Sequence, residues 1–326
     1  MNKVAHLETV TLDTKLATSK QLNADEILVN GEDVAEMFNR EHTYREMETR
    51  VKLQPEDNYM LIDDNGLLVS ANFRGMTDLT QLFRERHMLK EITQKNIDDW
   101  GLNDVVTANL FLALGNSVFK RFEGKLDNLV NFESGFGGNM GLEECYCIFP
   151  KLTMSNSIFN NCQKLTSVYC DFRNLKSSRQ MFYLTPKLKN VNGNLDSLES
   201  ATYFFSTSGI ESFSMNLPSL KIATEMFSNC QNFTSFASKL KWDSEEYSSL
   251  TDGKNMFANC KLDAASVENI LTQLQPFTDG STHIMTMTIQ EEAVSKFNEI
   301  TGNTVALSTS INNVSFRGWT IEVNIK

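Results

Sequence analysis

The chain repeats itself. NSIFNNCQKLTSV (156–168), TEMFSNCQNFTSF (224–236) and KNMFANCKLDAA (254–265) share an apolar residue and Phe, a small or polar residue, then Asn-Cys. RQMFYLTPKLKNV and TYFFSTSGIESF fill the gap between the first two at the same spacing. With the Phe as anchor, Phe159, Phe182, Phe205, Phe227 and Phe257 follow one another at steps of 23, 23, 22 and 30 residues. Seven residues before each stands a Leu: Leu152, Leu175, Leu198, Leu220 and Leu250. Five or six residues after each stands another large apolar residue: Leu165, Leu188, Ile210, Phe233 and Leu262. A period of this length marks stacked supersecondary units, none of which can bury its apolar face alone.

The template extends backward to Phe136, flanked by Leu129 and Leu142, and to Phe83, flanked by Met76 and Leu89, with a degenerate copy anchored at Phe111 between them. After the anchor the apolar positions run Leu142-x-x-Cys145-x-Cys147, Leu165-x-x-Val168-x-Cys170 and Ile210-x-x-Phe213-x-Met215. Period-2 alternation of this kind predicts a short strand with one face to the core. YMLIDDNGLLVSANF (59–73), turned at Asn65-Gly66, predicts a hairpin just ahead of the array.

The Leu-x5-Met-Phe-x-x-Cys-x-x-Leu-x-Ser pattern resembles the BspA-type leucine-rich repeats of bacterial and protist surface proteins. LDAASVENILTQLQ, STHIMTMTI and GWTIEVNIK resemble the helix, strand and closing strand that end such arrays. The resemblance implies an α/β solenoid of about eight units with a helix-strand C-terminal cap over residues 59–326. The pattern is interrupted where KWDSEEYSS (241–249) is inserted.

Residues 1–58 lie outside the repeat. ADEILVNGEDV predicts a short strand and a turn at Asn30-Gly31, and Glu32 to Leu53 has a helix-forming composition closed by Pro55. The same stretch resembles the start of bacteriophage fibre and appendage proteins. That resemblance implies an attachment segment that oligomerises the chain, as a trimer, on other virion proteins. The polar start MNKVAHLETVTLDTK has no apolar h-region, so the expected folding compartment is a cytoplasm.

A net charge of -11 and the lack of a basic run exclude a phosphate-backbone partner, and no apolar stretch reaches membrane-spanning length. Six cysteines are too few for a disulfide scaffold. Cys162, Cys230 and Cys260 share the third position after the anchor; Cys145, Cys147 and Cys170 occupy strand positions. These are places where other repeats carry apolar residues or gaps, so the thiols are expected in the core. His6, His42, His87 and His283 lie in no nucleophile motif, and no Cys-x-x-Cys or paired-His spacing suggests a metal. No catalytic residue, cofactor or metal is expected.

What remains is surface. Strand alternation turns Glu144, Tyr146, Ser167, Tyr169, Asp171, Asn190, Asn192, Ser212 and Ser214 outward as ladders suited to hydrogen bonding and ring stacking with a glycan or a protein. Trp242 and Tyr247 in the insertion form a second candidate site. The expected function is a non-enzymatic virion protein that binds a host-surface glycan or protein. The alternative is a bacterial cell-surface adhesin or secreted interaction protein.

Overall fold

The computed structural model describes residues 58–63, 65–305 and 311–326, and the backbone of a small antiparallel pair, β1 (Leu28–Val29) and β2 (Glu32–Asp33). The pair brackets the expected turn, whose residues Asn30 and Gly31 themselves lie outside the described residues. It also corrects the start of the expected helix, because Glu32 and Asp33 are extended partners of Val29 and Leu28. The rest of that helix, and the attachment role of residues 1–58, lie outside the described residues.

β3 (Tyr59–Ile62) and β4 (Leu68–Asn72) form the expected hairpin. Asp63 Oδ1 accepts from the backbone N–H groups of Asn65 and Leu67, both at 2.8 Å, and Gly66 has φ 77°. The bond from Leu67 chiefly holds the Asp63 carboxyl below its ordinary range.

Most of the remaining described chain is strand and turn with few helices. β5 (Glu91–Ile92), β6 (Arg121–Lys125), β7 (Glu144–Ile148), β8 (Ser167–Asp171) and β9 (Asn190–Asn194) form a five-stranded parallel sheet. Residues repeat in register across it, as in Phe122, Cys145, Val168 and Val191, all buried. β10 (Ser212–Phe213) and β11 (Ser235–Phe236) form a separate parallel pair.

The anchor phenylalanines line the opposite side of the core. Phe136, Phe159, Phe182, Phe205, Phe227 and Phe257 are fully buried, and successive rings stack at centroid distances of 4.9–5.5 Å. Each such contact contributes about 0.5–1.5 kcal/mol beyond burial. Around each anchor the backbone is left-handed two residues before and two after, as at Gln180 (φ 57°) and Leu184 (φ 57°) about Phe182. The anchor amide bonds forward to the next unit: Phe159 N to Met181 O at 2.9 Å and Phe182 N to Phe204 O at 2.7 Å.

This signature corrects the degenerate copy. The left-handed residues there are Leu110 and Leu114, and Leu112 N donates to Gly135 O at 2.7 Å, so the anchor is Leu112 and Phe111 stands one place before it. Sequence alignment on Phe slid by one residue because the position demands bulk and burial, which Leu also supplies. The long step from Phe83 to Leu112 is filled by α1 (Gln94–Trp100), a helix the repeat template did not predict. Thr93 and Asn96 form its capping box, and Gly101 ends it at φ 74°.

The third position after the anchor carries Asn139, Cys162, Thr185, Ser208, Cys230 and Cys260, all buried. The expectation of apolar residues or gaps there is corrected, for the position makes hydrogen bonds. Cys162, Cys230 and Cys260 Sγ–H donate to the Phe136, Phe205 and Phe227 carbonyls at 3.1, 3.1 and 3.2 Å. Asn139 Nδ2 donates to Leu112 O at 2.9 Å. Each thus ties one turn to the turn before it.

Both ends of the strand layer are closed by helices, which matters because an unpaired parallel edge invites other chains. At the first end Gln94 Oε1 of α1 accepts from Lys125 N at 2.7 Å. Gly124 is required beneath it, since a Cβ there would lie 2.1 Å from Ile97 Cδ1. At the other end α2 (Ala264–Gln273) lies along β11, N-capped by Asp263. Its Ser266 Oγ and Gln273 Oε1 accept from Phe236 N (2.8 Å) and Leu240 N (2.7 Å), while Asn269 Nδ2 donates to Phe236 O and Ser238 O. These residues share one helix face.

The anchor side ends in a four-stranded sheet. β12 (Gly253–Leu262), which contains Phe257, pairs in parallel with β13 (His283–Ile289), which pairs with β15 (Trp319–Ile325); the order is β12-β13-β15-β14, with β14 (Asn312–Phe316) antiparallel to β15. α3 (Val294–Thr301) connects β13 to this hairpin and buries Phe297. The helix and two strands expected at the C-terminal end are present, and α3 and β14 add to them.

Candidate functional site

The outward face of β6–β9 is a set of ladders fixed by register. Arg121, Glu144, Ser167 and Asn190 form one; Glu123, Tyr146, Tyr169 and Asn192 form the next; Lys125, Ile148, Asp171 and Asn194 form the third. In the middle ladder the Tyr146 and Tyr169 rings lie parallel, with centroids 4.4 Å apart and planes 8° from coincidence. Tyr146 is 42% and Tyr169 37% exposed, the largest exposed apolar groups on this face. Reduced hydration chiefly, then the neighbouring Tyr146 and Asp171, raises the Tyr169 phenol above its ordinary value, so its hydroxyl stays a donor.

Charged pairs frame the tyrosines. Lys120 Nζ reaches Glu143 Oε1 across one strand spacing at 2.5 Å, and this bond holds the Glu143 carboxyl below its ordinary range. Arg121 pairs with Glu123 at 2.5 Å. At half exposure these pairs contribute at most about 1 kcal/mol each.

Asp171 departs from the expectation. It stands on the outward side but is only 6% exposed, because Arg173 folds back and donates from Nε to Oδ1 at 3.1 Å and from Nη2 to Oδ2. It is a paired structural carboxylate, corrected from a surface ligand. Glu144, Asn190, Asn192, Ser212 and Ser214 are exposed as expected, and Ser167 is half-buried. Ser212 and Ser214 do not join the ladders of β6–β9, since they belong to the separate β10 segment.

In the 241–249 insertion Trp242 is 48% exposed. Tyr247 is half-buried with Arg317 Cζ 5.2 Å above its ring, and the same guanidinium lies 5.1 Å from the Phe316 ring. Arg317 Nη1 also donates to Leu274 O at 3.0 Å, at the end of α2. Tyr247 is therefore part of a structural clasp, while Trp242 is the residue the loop presents.

All six cysteines are buried and unbridged. Burial raises the thiols of Cys147, Cys162, Cys170 and Cys260 well above the ordinary value and that of Cys230 to about 11, which suppresses the thiolate that redox and metal chemistry need. Among the described residues no cluster of His, Cys, Asp and Glu has the geometry to hold a metal ion. Among them too, no helix is long and apolar enough to cross a membrane.

The geometry defines a strand-rich protein with a long parallel sheet, one face of which is open and carries a tyrosine pair. No family model matches the chain, and no curated protein matches it. Among solved structures it is similar to a leucine-rich cell-surface protein of Faecalibacterium prausnitzii A2-165, at 12% identity and TM-score 0.36 over 74% of this chain and 71% of that one. It is also similar to a leucine-rich repeat protein of Bacteroides ovatus ATCC 8483, at 16% identity and TM-score 0.28 over 63% of this chain and 61% of that one. The chain thus spans less than two thirds of the Bacteroides protein.

Proposed function

We propose that the chain is a non-enzymatic leucine-rich repeat solenoid of about eight units that works at a bacterial cell surface as a binding protein, taking a glycan or protein ligand on its open sheet face. The observation that carries this reading is the Tyr146–Tyr169 stack, two exposed rings held parallel at 4.4 Å in the middle of a polar sheet. Stacking leaves their outer ring faces and hydroxyls to solvent, an apolar and hydrogen-bonding surface preorganised by backbone register. Trp242 is the second contact. Residues 1–58 serve as the attachment and oligomerisation segment, so their deletion is expected to leave a folded monomer, and an unchanged oligomer by light scattering refutes that role. The phage resemblance rested on that segment, and no other feature favours a virion.

The test is a screen of the full chain on a glycan array and on immobilised extracellular matrix proteins, with Tyr146→Ala/Tyr169→Ala and Trp242→Ala alongside. Loss of the strongest signal in the tyrosine variant supports the face; retention with both variants refutes it. Protease shaving of intact producing cells tests the location.

A further inference from the structure

Among the described residues His283 is the buried histidine, whereas His87 is exposed. His283 opens β13 and is 8% exposed, enclosed by two aromatic rings. The Phe277 ring lies parallel to the imidazole at a centroid distance of 3.4 Å, and Trp319, its register partner on β15, lies at 5.6 Å. Nδ1 is 3.0 Å from Thr251 O, which can only accept, so this nitrogen carries a hydrogen. Nε2 is buried with no hydrogen-bond partner and faces Asp279 Oδ1 across 3.6 Å. A neutral imidazole has one N–H, so with Nδ1 engaged its Nε2 lone pair confronts a carboxylate. The imidazolium has two, and each then meets an acceptor.

The carboxylate belongs to a strap, residues 275–282, that crosses from α2 to β13. The first half of the strap is fastened. Trp319 Nε1 donates to Gln275 O and Phe277 N to Arg317 O, both at 2.9 Å. Gly318, at φ 80°, is required beneath it, because a Cβ there would lie 2.3 Å from Phe277 O. The second half, residues 278–282, is exposed throughout. Its one side-chain link to the body of the protein, among the described residues, is Asp279 facing His283. The Ser281 N–H, donating to Oδ1 at 2.9 Å, chiefly holds the Asp279 carboxyl below its ordinary range, so it is charged wherever imidazoles titrate.

Other charges on the packed elements are turned elsewhere. Asp252, next to Thr251, accepts from Thr224 Oγ1 and Lys254 N, and Glu322 of β15 accepts from Thr286 Oγ1. Arg317 lies over Tyr247 and Phe316, and Glu268 of α2 pairs with Lys296. Asp279 is thus the charge that His283 meets.

We infer that His283 and Asp279 form a proton-operated latch: acid closes the 3.6 Å gap and fixes residues 278–282 to the start of β13, and rising pH releases them. The carboxylate, Thr251 O and the ring faces of Phe277 and Trp319 offset the cost of the buried charge. The unfolded chain lacks these partners, so the contribution of the latch is present in acid and lost as pH rises.

Hydrogen exchange of the full chain tests this, read by mass spectrometry at about pH 5.5 and about pH 8, either side of the range in which imidazoles titrate, and corrected for intrinsic rates. Protection over residues 278–282 is expected to be about three- to fivefold higher at the lower pH, with α2 unchanged as internal reference. Asp279→Asn keeps an acceptor for Ser281 N and is expected to abolish the difference, as is His283→Gln. Equal protection at both pH values in the native chain overturns the latch. So does a difference that survives in either variant, or one that α2 shares, which marks a global change in stability. Asp279 lies in an exposed turn, so its variant decides the matter even where His283→Gln does not fold.

Discussion

Cys162→Ser and Cys170→Ser make the same chemical change at two fully buried thiols with opposite surroundings. The Cys162 thiol points at the Phe136 carbonyl 3.1 Å away, in a position where Thr185 and Ser208 stand in neighbouring units. The Cys170 thiol faces the apolar interior and has no hydrogen-bond partner among the described residues. A serine hydroxyl buried without a partner costs about 1–3 kcal/mol, whereas one that finds an acceptor recovers about 0.5–1.5 kcal/mol. Cys162→Ser is therefore expected to cost under about 1 kcal/mol and Cys170→Ser about 1–2 kcal/mol more than that. Urea unfolding followed by tryptophan fluorescence and by circular dichroism measures both, and coincident curves license the comparison. Equal costs, or a larger cost at Cys162, refute the claim that the third position is a hydrogen-bonding one.

Alkaline pH is expected to destabilise the fold. Unfolded thiols ionise near about pH 8.5, while burial keeps Cys230 protonated to about 11 and holds Cys147, Cys162, Cys170 and Cys260 well above the ordinary value, so the unfolded state binds fewer protons above pH 8.5. The thiols' contribution is complete below that pH and declines above it by about 1.4 kcal/mol per unit per thiol, a trend that unfolding midpoints between pH 7 and 10.5 check. Thr207 is β-branched, exposed and left-handed at φ 59°, where Asn161, Asn229 and Asn259 stand in other units. Thr207→Asn is expected to raise stability by about 1 kcal/mol in the same assay. Arg317→Ala removes the clasp over Tyr247 and the bond to Leu274 O, with an expected loss of about 1–2 kcal/mol. Hydrogen exchange is expected to rise first in residues 241–249 and at the end of α2; unchanged exchange there rejects the clasp.

Much of this architecture was legible in the chain because it is written locally and repeatedly. The anchor spacing placed six stacked phenylalanines on one side of the core. Two-residue alternation placed Cys145, Cys147, Val168 and Cys170 inward and turned Tyr146 and Tyr169 outward, and the parallel register then brought the two rings together. The resemblance of LDAASVENILTQLQ to a terminal helix placed α2. Each of these signals lies within one unit, where covalent geometry ties sequence position to direction.

What the sequence could not disclose depends on the spacing and pairing of units. The anchor at Leu112 is visible only in the left-handed residues around it, since burial alone does not distinguish Leu from Phe. Asp171 sits on the outward side by alternation, yet Arg173 covers it, a choice of rotamer and partner. Tyr247 is claimed by an arginine 70 residues away in the chain. The missing pairing between β9 and β10 has no local mark except a glycine, because a hydrogen bond between strands is a property of two backbones at once. The sequence by itself determined the repeat, its core and the direction of its strands. Only the tertiary structure decided where that repeat closes with helices and where it stands open.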